Sequence, residues 1–70
     1  MVSIKMKVVN KFGTFESSII DMDDEIYPEF VEVSKLFWIT DTSFNLDTDD
    51  GVIVFPPEII RKSILIIIKL

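Results

Sequence analysis

Seventy residues carrying twelve acidic and seven basic side chains give a net charge of −5, and neither Cys nor His occurs among them. That length leaves room for a single domain over residues 1–70, and the missing residue types exclude disulfides, Cys/His zinc sites, cysteine nucleophiles and histidine general bases. The acidic balance argues against an unaided grip on nucleic acid phosphates or an anionic membrane surface.

Hydrophobic residues make up 49% of the chain and the mean hydropathy is +0.41, well away from the regime of disordered segments. A domain of this size seldom stabilises itself by more than about 3 to 5 kcal/mol without metal, disulfides or a partner, which leaves self-association as the remaining source. Ala, Gln, His and Cys are absent and Ile dominates. An A+T-rich genome produces such usage, as in a bacteriophage or a low-GC bacterium. Met1 to Lys7 alternates charge with apolar residues and lacks the apolar core of a secretory signal. The apolar run Ile64 to Ile68 is far short of the about 20 residues a membrane helix needs, so the expected location is cytoplasmic, the host cytoplasm for a phage-encoded chain.

Ile4, Met6 and Val8 alternate with Lys5 and Lys7, which predicts a half-buried strand over Ser3 to Val9. Asn10 to Gly13 predicts a turn, and Thr14 to Ile20 a second strand with Phe15, Ser17 and Ile19 on one face. Four carboxylates at Asp21, Asp23, Asp24 and Glu25 then mark a helix start, with Pro28 at the first helical position. The helix is expected over Pro28 to Trp38, with Ile26, Phe30, Val33 and Phe37 as its core-facing stripe. Phe37 and Trp38 are consecutive, so one ring should enter the core and the other lie at its edge.

Thr40 to Ser43 reads as a polar connector, followed by a second hairpin in which Phe44, Leu46 and Thr48 lead through Asp49-Asp50-Gly51 to Val52-Ile53-Val54-Phe55. Pro56-Pro57 ends the strand, and Pro57 to Ser63 has room for one or two helical turns. Ser63 to Leu70 is the last strand. Its residues Ile64, Leu65, Ile66, Ile67, Ile68 and Leu70 are aliphatic on both faces, so the strand is either central in a sheet or turns one face to a subunit interface. Lys69 is expected at the rim, limiting open-ended edge pairing. The fold class expected is α+β, a two-layer domain with a mainly antiparallel sheet and one helix (ββαββ-turn-β). A partly closed small β-barrel is the alternative.

Few constellations carry chemistry. Asp21, Asp23, Asp24, Glu25, Glu29 and Glu32 form an acidic stretch that can solvate a helix start, face a basic partner or bind a cation, but nothing in the spacing fixes the six to eight oxygens that calcium wants. Asp47 to Gly51 with Glu58 is superficially similar to the calcium loop of EF-hands, yet Val52 stands where that loop needs glycine. Ser17, Ser18, Ser34, Ser43 and Ser63 have no histidine to activate them, and two glycines cannot build a phosphate-cradling loop. Lys5, Lys7 and Lys11 form one modest basic patch and Arg61-Lys62 another, too few for a nucleic acid groove.

The expected function is therefore a non-enzymatic interaction protein without cofactor. It self-associates through Ile64 to Leu70 and presents its acidic residues, with Trp38 as an edge contact, to a basic protein, in the manner of a phage inhibitor that mimics phosphates. One alternative is an oligomeric binding or sequestering protein holding an anionic metabolite or nucleotide against Lys5, Lys7, Arg61 or Lys62. Another is a structural or assembly subunit whose last strand joins a neighbour's sheet.

Overall fold

The alternation at Ile4, Met6 and Val8 produces β1 (Val2–Asn10), the strand that organises the fold in a computed structural model describing residues 1–40 and 43–70. Side chains of a strand point alternately to opposite faces, so Val2, Ile4, Met6 and Val8 all enter the core while Ser3, Lys5, Lys7 and Val9 face outward. Burying each such apolar side chain contributes about 1.5 to 3 kcal/mol.

In a four-stranded sheet β1 pairs antiparallel with β2 (Gly13–Glu16), β3 (Ile20–Met22) and β6 (Ile64–Lys69). Lys7, Val8 and Val9 pair with both β2 and β6, and Ile4 pairs with both β3 and β6. A strand has two edges, so β2 and β3 follow one another along one edge of β1 and β6 takes the other. At the first turn the Asn10 side-chain oxygen accepts the Phe12 amide at 2.9 Å, and Gly13 takes a φ of 133°, a region that disfavours a side chain.

The unbroken strand expected from Thr14 to Ile20 is instead divided. Between the pairs Lys7 with Glu16 and Ile4 with Ile20, β1 uses Lys5 and Met6 while the returning strand uses Ser17, Ser18 and Ile19. The extra residue is a β-bulge. It shifts the alternation by one, so Ile20 pairs on the core side and Ile19 is exposed. Ser17 holds the bulge: its amide donates to the Met6 carbonyl at 2.8 Å, and its buried hydroxyl accepts the Met6 amide at 2.8 Å and donates to the Ser18 carbonyl at 2.8 Å. Ser17→Ala leaves the buried Met6 amide without its acceptor, and a stability loss of about 1 to 3 kcal/mol is expected in urea unfolding. A loss below the error of that measurement would mean that water replaces the hydroxyl.

The helix α1 (Tyr27–Ile39) carries Pro28 in its first turn. Its core-facing stripe differs from the one expected. Tyr27, Phe30 and Trp38 pack against the core and Ser34 is buried, whereas Ile26, Val33 and Phe37 are exposed. An apolar pattern is an incomplete guide here because the centre of the contact is a serine, flanked along the helix by aromatic rings.

β4 (Phe44–Thr48) and β5 (Gly51–Phe55) form the expected second hairpin, with Phe44, Leu46, Ile53 and Phe55 in or against the core and Asn45, Asp47, Val52 and Val54 turned outward or exposed. Thr48 faces Gly51 across the turn, and Gly51 has a φ of 146°. The hairpin is a separate two-stranded sheet and does not extend the first one. The bulge joins them, its Ser18 amide donating to the Asp47 carbonyl at 3.0 Å. Edge-to-face ring pairs complete the junction, Phe15 with Phe55 at 5.5 Å and Trp38 with Phe44 at 5.3 Å.

α2 (Pro57–Ile60) is one turn long and pushes Ile60 into the core. The Ser63 hydroxyl donates to the Ile59 carbonyl at 2.6 Å and receives the Asn10 side-chain amide at 3.2 Å, tying the start of β6 to the end of β1. Among the described residues β6 pairs with β1 alone, so it is an edge strand and not a central one. The two sheets do not close on one another, so the architecture is the small antiparallel α+β domain and not the barrel. Of the connector expected at Thr40 to Ser43, Asp41 and Thr42 lie outside the described residues.

Candidate interaction surfaces

The six aliphatic residues singled out near the C-terminus divide by parity. Leu65 and Ile67 face the core side, opposite Val8 and Met6. Ile64, Ile66 and Ile68 lie on the outer face beside Val9, Lys7 and Lys5. Ile64 is 63% exposed and Ile66 40%, while Ile68 is half-buried. Leu70 follows the strand and is exposed, its amide held by the Ser3 carbonyl at 2.8 Å. α1, α2 and the β4–β5 hairpin all pack on the inner face, so among the described residues no second layer covers the outer one. Lys69, expected at the rim, is exposed, and its ammonium lies 5.2 Å from the Tyr27 ring centroid at the start of α1.

A second apolar surface runs along α1. Val33, Leu36, Phe37 and Ile39 are all exposed, Ile39 at 78%. Trp38, expected as the exposed partner contact, is the half-buried member of the Phe37-Trp38 pair and Phe37 is the exposed one. Two shallow grooves flank the helix, and both include Ser34, which is too small to fill the space between helix and sheet. One, of about 310 Å³, lies between α1 and β6 and is lined by Val31, Trp38, Ile39, Leu65 and Ile67, with Lys35 at its side. The other, of about 250 Å³, opens toward the bulge and β4, between Phe30, Phe37 and Leu46. Lys5, Lys7, Arg61 and Lys62 line neither of these grooves.

The acidic residues run from β3 through the turn into α1. Asp21 belongs to β3 and accepts the Ser3 hydroxyl; Asp24 lies 3.2 Å from the Met1 amino group; Glu32 pairs with Lys35 at 3.1 Å on the helix surface. Asp23 supplies its backbone carbonyl to the amides of Ile26 and Tyr27, which begins α1 without a side-chain cap. Of the cluster, Glu29 alone falls in the first helical turn. All six acidic side chains are exposed, and pairs of this kind contribute little, about 0 to 1 kcal/mol at most. Among the described residues, no three carboxylates converge where they could hold a metal ion.

Nor is any helix among them long and apolar enough to cross a membrane. Compared with known proteins, the chain matches no family model, no curated protein and no solved structure. Its surfaces are therefore the basis for a functional reading. The exposed helix surface is the feature a sequence reading misses, because helical periodicity assigns two of its residues, Val33 and Phe37, to the core.

Proposed function

We propose that this chain is a non-enzymatic interaction protein that self-associates, with β6 as the element on which assembly is built. One observation carries the reading: β6 is an edge strand bearing aliphatic residues on both faces, with Ile64 and Ile66 exposed. Soluble proteins blunt such edges with charge, proline, bulges or a covering element, and β6 has a single charge, Lys69, at its last position. In a domain expected to hold only about 3 to 5 kcal/mol by itself, burying this strand against a neighbour contributes on the scale of the whole fold.

Sedimentation equilibrium tests the reading. Wild-type protein at low micromolar concentration is expected as an oligomer. Ile66→Asp, at an exposed position where folding tolerates a charge, is expected as a monomer with an unchanged circular dichroism spectrum. A wild-type monomer at that concentration refutes self-association.

The second reading, presentation of an acidic face to a basic protein as a phosphate-mimicking inhibitor does, is supported by the exposure of Asp21, Asp23, Asp24, Glu25, Glu29 and Glu32. Its signature is a complex with a basic protein that weakens steeply between low and physiological salt.

A further inference from the structure

β6 has one edge on β1 and, among the described residues, no strand on the other. The hydrogen bond from the Leu70 amide to the Ser3 carbonyl sets the alternation along the strand. Backbone groups of Ile64, Ile66 and Ile68 turn toward β1, and those of Leu65, Ile67 and Lys69 turn toward the open edge. Such an edge is a template for strand addition.

Building on the reading of this chain as self-associating, we propose that the added strand is β6 of a second copy, running antiparallel about a two-fold axis at Ile66. Residues directed outward must meet residues directed outward, which leaves two centred registers. With the axis at Ile66, Ile64 faces Ile68 of the second copy, Leu65 faces Ile67, Ile66 faces its own counterpart, and Lys69 falls opposite Ser63. With the axis at Ile67, Lys69 is set directly opposite Leu65. The first register alone puts an aliphatic side chain opposite an aliphatic side chain at every position from 64 to 68, on both faces of the joined sheet.

The helix layer argues for a second copy over a foreign strand. A two-fold axis normal to the sheet carries both α1 helices to the same side, so the groove between α1 and β6 meets its counterpart across the joined strands. Its floor is then Leu65 and Ile67 from both chains, and its walls are Val31 and the largely exposed Ile39 of each helix. Lys35, the charge at that groove, is already paired with Glu32 on its own helix at 3.1 Å and brings no uncompensated charge to the junction. The sheet becomes continuous from β1 of one copy to β1 of the other. Charge at position 66 then meets itself across the axis, which is why Ile66→Asp separates the copies.

Disulfide trapping tests the register in a chain that has no cysteine of its own. At Ile66 the pair across the axis is of the non-hydrogen-bonded type, with Cα atoms about 4.5 Å apart, inside the span a disulfide bridges. Ile66→Cys is expected to convert to covalent dimer under mild oxidation at low micromolar concentration. Ile64→Cys and Ile68→Cys are each expected to stay single and to link to one another when mixed. Amide exchange supplies a readout free of substitution: the amides of Leu65, Ile67 and Lys69 should slow at concentrations favouring the dimer and speed up on dilution. A wild-type oligomer in which Ile66→Cys does not link, or in which those three amides exchange equally fast at both concentrations, overturns the edge pairing and leaves self-association standing. A wild-type monomer overturns both.

Discussion

Replacing Ile4 by alanine is expected to leave much of the protein unfolded at room temperature. Ile4 is fully buried at the middle of the inward face of β1, where it pairs across the sheet with Ile20 on one side and Lys69 on the other. Removing three carbons from such a site costs about 2 to 5 kcal/mol, through lost transfer free energy and the cavity left behind. The whole stability expected of a domain this small is about 3 to 5 kcal/mol, so this one change is comparable with the total. Urea unfolding followed by circular dichroism measures it. Two companions calibrate the result: Lys5→Ala on the outer face should change stability by about 0.5 kcal/mol or less, and Val33→Ala, at a 43% exposed helix position, should cost far less than Ile4→Ala. If Val33→Ala cost as much as Ile4→Ala, Val33 would have to belong to the buried face of α1, and the rotation of the helix described above would be wrong.

How much of this fold is legible in the sequence depends on whether a segment's burial follows a simple period. β1 and the β4–β5 hairpin do. Ile4, Met6 and Val8 share one face with Lys5 and Lys7 on the other, and a two-residue turn before Gly51 brings Leu46 opposite Ile53. Two places break the rule for identifiable reasons. At Ser17 the bulge inserts one residue, and nothing in Thr14 to Ile20 announces it, because Ser17, Ser18 and Ile19 continue an acceptable alternation. Its cause is tertiary: Met6 and Asp47 each take a hydrogen bond from the bulged segment. At α1 the periodic stripe Ile26, Phe30, Val33 and Phe37 is apolar throughout, yet of these only Phe30 packs against the core, and the helix turns Tyr27, Ser34 and Trp38 inward beside it. Wide aromatic side chains at both ends of the buried face set the rotation, and the small serine between them is overlooked by any reading that counts hydrophobic positions. The same rotation leaves Val33 and Phe37 at the surface, so the surplus apolar area of α1 follows from how the helix sits. For β6, the sequence left two positions open, central or interfacial. Among the described residues β6 pairs with β1 on a single edge, which removes the central position.

The parity of β6 separates folding from association in a single pair of substitutions. Ile67→Asp places a carboxylate on the inner face, opposite Met6 and against the core beneath α1. Lys35, the cation at the groove over Ile67, is already paired with Glu32 at 3.1 Å, and burying a charge without a partner costs several kcal/mol, more than this domain can lose and remain folded. Ile67→Asp is therefore expected to lose its cooperative thermal transition at every concentration. Ile66→Asp, one residue earlier, puts the same carboxylate on the outer face beside Lys7, with which Ile66 is in register. That neighbour favours the charge, so the monomer should keep its native circular dichroism and lose only the concentration dependence of its melting temperature. Two-state unfolding coupled to dimerisation makes the wild-type melting temperature rise with protein concentration. Melts of the three proteins over a hundredfold range of concentration therefore discriminate: a rising midpoint for wild type, a constant midpoint for Ile66→Asp, and no transition for Ile67→Asp. If Ile67→Asp melted cooperatively like the wild type while Ile66→Asp did not fold, the inward and outward faces of β6 would be exchanged, and with them the register of β6 on β1.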